Sequence, residues 1–166
     1  MSGTLLSVEA PVAWPAAARA QIAELLTHYP NTRSAILPVM WIAQREWGWL
    51  SPAVLRLVAN TVGLSETEVF GVATFYTMFN LQPIGRHHLQ VCMTLSCSLM
   101  GADRLFRHLE ARLGIGHGET TPDGRFTLRR VECLAACGGG PCLQVNEAYH
   151  ENLDEAKVDR LLETLR

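Results

Sequence analysis

The 166-residue sequence carries 14 Lys and Arg against 16 Asp and Glu, a formal net charge of -2, and 48% of its residues are apolar. Such a balance offers no basic surface for nucleic acid or an anionic membrane, so any large partner is expected to be protein. No stretch approaches the roughly 20 apolar residues of a membrane span, and residues 1–20 lack the basic-then-apolar order of an export signal. A soluble cytoplasmic protein is expected. Five cysteines, an odd number, in such a chain point to metal or redox chemistry before a disulfide framework.

The first half reads as helices, because apolar positions recur at three and four residues between turn and cap signals. One helix is expected from Pro15 to about His28. A second runs from about Arg33 to Trp47, burying Ile36, Val39, Met40, Ala43 and Trp47 on one face, with Gly48 as its stop. Ser51-Pro52 is a cap followed by proline at the first helical position, opening a third helix that Gly63 closes. Ser65 and Glu68 fit a capping box that starts a fourth helix toward Tyr76.

At Gln82-Pro-Ile-Gly85 the helical pattern breaks, and Leu89, Val91 and Met93 then alternate with polar neighbours as in a strand. The expected organisation is therefore a helical domain over residues 1–82 and a second domain over 83–166. Helical spacing returns over 99–113 through Ala102, Leu105, Phe106, Leu109 and Leu113, with Gly114 as C-terminal cap. A turn at Pro122-Asp-Gly124 leads into a strand from Phe126 to Val131. Leu143 and Val145 mark another strand, turned by Asn146-Glu147 toward a partner near Tyr149, and Val158, Leu161, Leu162 and Leu165 mark a final helix. The fold class expected is α+β, a helical bundle followed by a small mixed sheet covered by two helices.

Cys92 and Cys97 are separated by four residues, Cys133 and Cys137 by three, and each pair leaves the end of an expected strand. Neighbouring strand ends lie close enough for two such loops to face one another, so four thiolates can converge. Cys-x4-Cys with a second pair is a spacing used for iron-sulfur clusters, whose ligands span a rhomb wider than one ion. Structural zinc more often uses Cys-x2-Cys knuckles, so spacing favours a cluster, with zinc and free redox thiols left open.

An oxidised cluster on four thiolates has a charge of about -2 and calls for N–H donors around the sulfurs. Gly138-Gly-Gly140 can supply bare N–H groups, or be no more than a flexible turn, and Ser98–Gly101 is expected to place a helix N-terminus beyond Cys97. Cys142, at the start of an apolar strand, reads as a buried thiol. The histidines at 28, 87, 88, 108, 117 and 150 form no spaced pair with the cysteines, and surface or capping roles are expected, with His87-His88 near enough to Cys92 to bias a potential there. Trp41, Trp47 and Trp49 read as packing. There is neither a Gly-x-Gly-x-x-Gly nor a Walker pattern, so no nucleotide or flavin site is expected on this chain.

Gly71-Val-Ala-Thr-Phe-Tyr76, Pro83-Ile-Gly-Arg86, Cys92-x4-Cys97, Gly118-Glu-Thr-Thr-Pro-Asp-Gly124 and Val131-Glu-Cys-Leu-Ala-Ala-Cys137 together resemble the NuoE family of bacterial NADH:quinone oxidoreductase (complex I). Related subunits occur in NAD-linked formate dehydrogenases and NAD-reducing hydrogenases. The resemblance implies a thioredoxin-like ferredoxin domain after the helical one, with one [2Fe-2S] cluster whose ligands are Cys92, Cys97, Cys133 and Cys137. It implies docking on a flavoprotein subunit that binds FMN and NADH, contact with the larger iron-sulfur subunit, and a place at the inner face of the cell membrane through the complex. The cluster would act as a side store for flavin electrons, on a chain that has no substrate site of its own. Two positions depart from the family pattern: Ala135 stands where glycine is usual, and Cys142 where an apolar residue is usual. A free-standing ferredoxin and a zinc-stapled interaction module are the competing readings.

Overall fold

The structure, a computed structural model, describes residues 12–165. The chain divides into two compact units, Met1–Pro83 and Ile84–Arg166.

Among the described residues of the first unit four α-helices follow one another: α1 (Ala16–Leu26), α2 (Ile36–Trp47), α3 (Pro52–Val62) and α4 (Glu66–Phe75). Their ends obey the local chemistry. Asn31 caps a 3-10 turn, Thr32–Ala35, that leads into α2, so the α-helix proper starts three residues later than the periodicity places it. Gly48 and Gly63 end α2 and α3 in the left-handed conformation that glycine adopts at least cost. The Ser51 side chain accepts from the Val54 N–H, and Ser65 with Glu68 completes the capping box. Ile36, Val39, Met40 and Ala43 are buried as expected, whereas Trp47 is only half-buried and packs against Trp14 at 5.2 Å between ring centroids. Buried Gln44 spans α2 and the segment after α4, donating to the Met78 carbonyl at 3.0 Å and accepting from the Asn80 N–H at 2.6 Å.

The second unit holds a four-stranded sheet in the order β2-β1-β3-β4, built from β1 (His87–Cys92), β2 (Phe126–Val131), β3 (Leu143–Val145) and β4 (Ala148–His150). β1 runs parallel to β2 and antiparallel to β3, and β3-β4 is a hairpin turned at Asn146, whose φ is 53°. The sheet therefore has a crossover half and a hairpin half, the mixed α+β arrangement expected. Helices α5 (Leu95–Leu99) and α6 (Ala102–Leu113) make the crossover, and α7 (Glu155–Thr164) closes the chain. Leu89, Val91 and Leu128 from the strands meet Leu105, Phe106 and Leu109 of α6 and Val158 of α7 in one buried cluster. The parallel register matters most for function: Cys92 pairs with Val131, so the segments leaving β1 and β2 start side by side. No described helix is long and apolar enough to cross a membrane.

One continuous helix over 99–113 does not form. Gly101, at φ 99°, enters the left-handed region and divides the segment into α5 and α6. His88 also departs from its expected surface role: it is 5% exposed, and its Nε2 has no hydrogen-bond partner. Burial, followed by the nearby Arg129 charge, pushes its pKa down to about 4. The folded state holds this imidazole neutral while the unfolded chain protonates it near 6.5, so its contribution to stability is complete above about pH 6.5 and is lost as pH falls toward about 4. His88→Leu should flatten that part of the stability profile, measured by urea unfolding between pH 4 and 7; an unchanged slope would contradict the assignment.

Candidate metal centre

Two loops meet at the ends of the paired strands. Cys92 is the last residue of β1, and Cys97 lies inside α5, both 2% exposed. Cys133 follows β2 and Cys137 opens a 3-10 turn, Cys137–Gly139; both are exposed. The ladders continue past the strands and fix the loops, with the Cys92 N–H donating to the Cys142 carbonyl at 3.1 Å and the Met93 N–H to the Val131 carbonyl at 3.0 Å.

The four thiols sense one another. Cys92 and Cys97 are hydrogen-bonded neighbours, and Cys137 feels the charge of both Cys133 and Cys92. Cys133 Sγ and Cys137 Sγ stand 3.8 Å apart. Metal-sulfur distances of about 2.3 Å in a tetrahedral site put two thiolates about 3.8 Å apart, so this pair already has the spacing of two ligands on one metal. Among the described residues no three His, Cys, Asp or Glu side chains close on a single point as they would around one ion. The cysteines instead pair off, Cys92 with Cys97 and Cys133 with Cys137, which suits a two-iron cluster, where each iron takes two thiolates, better than a lone zinc.

The electrostatics fit the same group. Burial would push the Cys92 thiol up, yet the Thr94 hydroxyl and the N–H groups of Thr94 and Leu134 together bring it below the ordinary thiol value. Burial and the neighbouring Cys92 raise Cys97 even though the Cys142 N–H donates to it, and sharing with Cys133 raises Cys137 although the Ser96 hydroxyl opposes this. The Ala135 N–H donates to Cys133 Sγ at 3.3 Å. Cys97 and Cys137 thus resist ionising beside their neighbours unless cationic metal neutralises them, while hydrogen-bond donors are in place for sulfurs that carry charge.

Several donors differ from those expected. The helix N-terminus expected beyond Cys97 is there, since Gly101 is the N-cap of α6, but a further short helix, α5, starts at Thr94 between the two cysteines. The Gly139 N–H goes to the Ala136 carbonyl, and this glycine supplies room, because a Cβ there would collide with the Glu151 side chain. A Cβ at Gly140 would rest in ordinary contact with Cys97 Sγ at 3.5 Å, so space alone does not require glycine there. The sulfur donors Thr94, Leu134 and Cys142 are not readable from the sequence, since a peptide N–H aimed at a sulfur leaves no trace in residue type, although Thr94 and Ser96, set two apart between Cys92 and Cys97, are a hint. Cys142 is fully buried as expected, its thiol pushed up to about 11 by burial and by the neighbouring Cys97.

The fold and the facing cysteine loops define a small thioredoxin-like electron carrier, and residues 22–166 match the family of thioredoxin-like [2Fe-2S] ferredoxins, to which the chain belongs. A [2Fe-2S] cluster is the cofactor of that family. Within it the chain is 51% identical over 148 residues to an E-type NADH-quinone oxidoreductase subunit of Rhizobium meliloti (strain 1021), a match covering 89% of this chain and 88% of the relative. It is 46% identical over 146 residues to NADH-quinone oxidoreductase subunit 2 of Thermus thermophilus, covering 86% of this chain and 81% of that one. A solved NAD+-reducing [NiFe]-hydrogenase in its air-oxidised state shares the fold, with TM-score 0.70 and 24% identity over 79% of this chain; this chain covers 22% of that one.

Ala135 sits at φ 60°, in the left-handed region. A left-handed alanine costs about 1–2 kcal/mol, against about 0.5–1 kcal/mol for the extra freedom of an unfolded glycine. Ala135→Gly should therefore stabilise the protein by roughly 0.5–1 kcal/mol, seen as a higher Tm in thermal unfolding; a lower Tm would show that the loop does not hold this backbone.

Proposed function

We propose that Cys92, Cys97, Cys133 and Cys137 are the cluster ligands and that the chain is the electron-transfer subunit of a respiratory NADH:quinone oxidoreductase. The observation that carries the reading is the convergence of these four thiols at the ends of β1 and β2, one pair buried and the other exposed. A [2Fe-2S] cluster bound there supplies a one-electron couple. The chain's own residues do the rest: the strand ladder fixes the two loops, the N–H and hydroxyl donors stabilise charge on the sulfurs, and the buried pair keeps water from one side.

Exposure of Cys133 and Cys137 favours that side as the place where an electron enters and leaves. Leu95, Leu99 and Met100, on and just after α5, are exposed apolar side chains of the same loop, suited to a protein partner. That partner is the flavoprotein subunit that binds NADH and FMN, with the larger iron-sulfur subunit as a further neighbour and the complex holding the chain at the inner face of the cell membrane. The two domains divide the work, residues 83–166 holding the cluster and residues 1–82 docking. Phe70, Phe75 and Tyr76 of the helical domain support this, since they stand exposed along and just past α4, within or beside the Gly71–Tyr76 motif. Identity of 42–51% to subunits of NADH-quinone oxidoreductases favours the quinone-linked complex over the hydrogenase, whose likeness is one of fold.

The test mixes the anaerobically reconstituted chain with the flavoprotein subunit of such a complex and adds NADH. NADH alone should leave the chain oxidised, and NADH with the flavoprotein should bring up the reduced EPR signal. A chain that dithionite reduces but that neither binds the flavoprotein nor takes electrons from it would be a free-standing ferredoxin.

A further inference from the structure

Among the sulfur donors, two come from side chains, the hydroxyls of Thr94 and Ser96. Their surroundings differ. Ser96 serves Cys137, which is exposed, so water can replace that bond. Thr94 Oγ1 lies 3.2 Å from the Sγ of Cys92, a residue only 2% exposed, where water has less room to take its place. Thr94 also occupies the N-cap of α5, a position where threonine normally turns its oxygen to accept from the helix, yet its side chain makes no cap bond. The hydroxyl is committed to the sulfur, and the Thr94 N–H donates to the same atom.

We propose that Thr94 is a positioning residue that sets the cluster's reduction potential through this hydroxyl. The proposal rests on Cys92 being a ligand. A ligating thiolate has no proton, so the direction of the bond is fixed: Thr94 donates and Cys92 Sγ accepts. Reduction adds one electron to the cluster and makes its charge more negative; no bond forms or breaks, and the hydroxyl keeps its proton. A donor to sulfur stabilises the more negative state more than the oxidised one, so its loss must lower the potential.

The experiment compares the native holoprotein with Thr94→Val and Thr94→Ser, measuring iron and sulfide per chain and then the midpoint by EPR-monitored titration. Thr94→Val should keep its cluster and shift the one-electron equilibrium about tenfold toward the oxidised form, about 59 mV to the negative side, while Thr94→Ser stays with the native protein. An unmoved midpoint in Thr94→Val, or an equal shift in Thr94→Ser, overturns the proposal. Resonance Raman of Ser96→Ala, which keeps Thr94 and lacks the other hydroxyl donor, moved from H2O to D2O, decides the matter should Thr94→Val not assemble. A hydroxyl donor shifts an iron-sulfur stretch promptly, before buried amides exchange, and no prompt shift overturns the role. Native protein that binds no iron or sulfide would instead remove the ligand assignment itself, a result distinct from any of these.

Discussion

The cost of burying and crowding thiolates is the constraint on which the cysteine loops of the second unit depend. Burial raises Cys97 and Cys142, and sharing raises Cys137, so this group of sulfurs becomes fully ionised only with compensating positive charge. The fold answers in two ways. Rigid strand ladders hold the two loops opposite one another whatever their charge, through the parallel pairing of β1 with β2 and the bond from Cys92 to Cys142. Donors from Thr94, Leu134, Ala135, Ser96 and Cys142 then meet the sulfurs of the four proposed ligands, which would lower the cost of the negative charge that remains with metal bound.

The loops carry local features of their own. Gly139 is small because the Glu151 side chain occupies the space a Cβ would need, and Gly140 lies against Cys97. Ala135 accepts a left-handed backbone while its N–H reaches Cys133 at 3.3 Å. A strained position beside a proposed ligand is where local preference is expected to yield to the needs of a site. In the first unit, by contrast, the capped helix ends follow their local preference, and buried polar Gln44 has both ends of its amide satisfied.

Much of the fold was legible because its signals are local. The capping box at Ser65 and Glu68, the proline after Ser51, the stop glycines 48, 63 and 114, and the six residues of β2 all stand in the structure as sequence pattern places them. What was not legible is short or non-local. Five residues of α5 are too few to show a helical period, so Cys97 was expected before a helix and not inside one. His88 looks like any polar residue of a strand, and its burial depends on what packs over it. The converging cysteines were readable as spacing, but which N–H groups face them depends on loop geometry that residue types do not encode.

The central claim, that these four cysteines hold two irons and two sulfides, is tested most directly by metal analysis of the anaerobically purified chain. Two irons and two acid-labile sulfides per chain, with a rhombic EPR signal on reduction, are expected, and serine at Cys92, Cys97, Cys133 or Cys137, but not at Cys142, should change or abolish that signal. Stoichiometric zinc, or failure to take up iron and sulfide on reconstitution, would contradict the account and leave a scaffold that does not carry electrons.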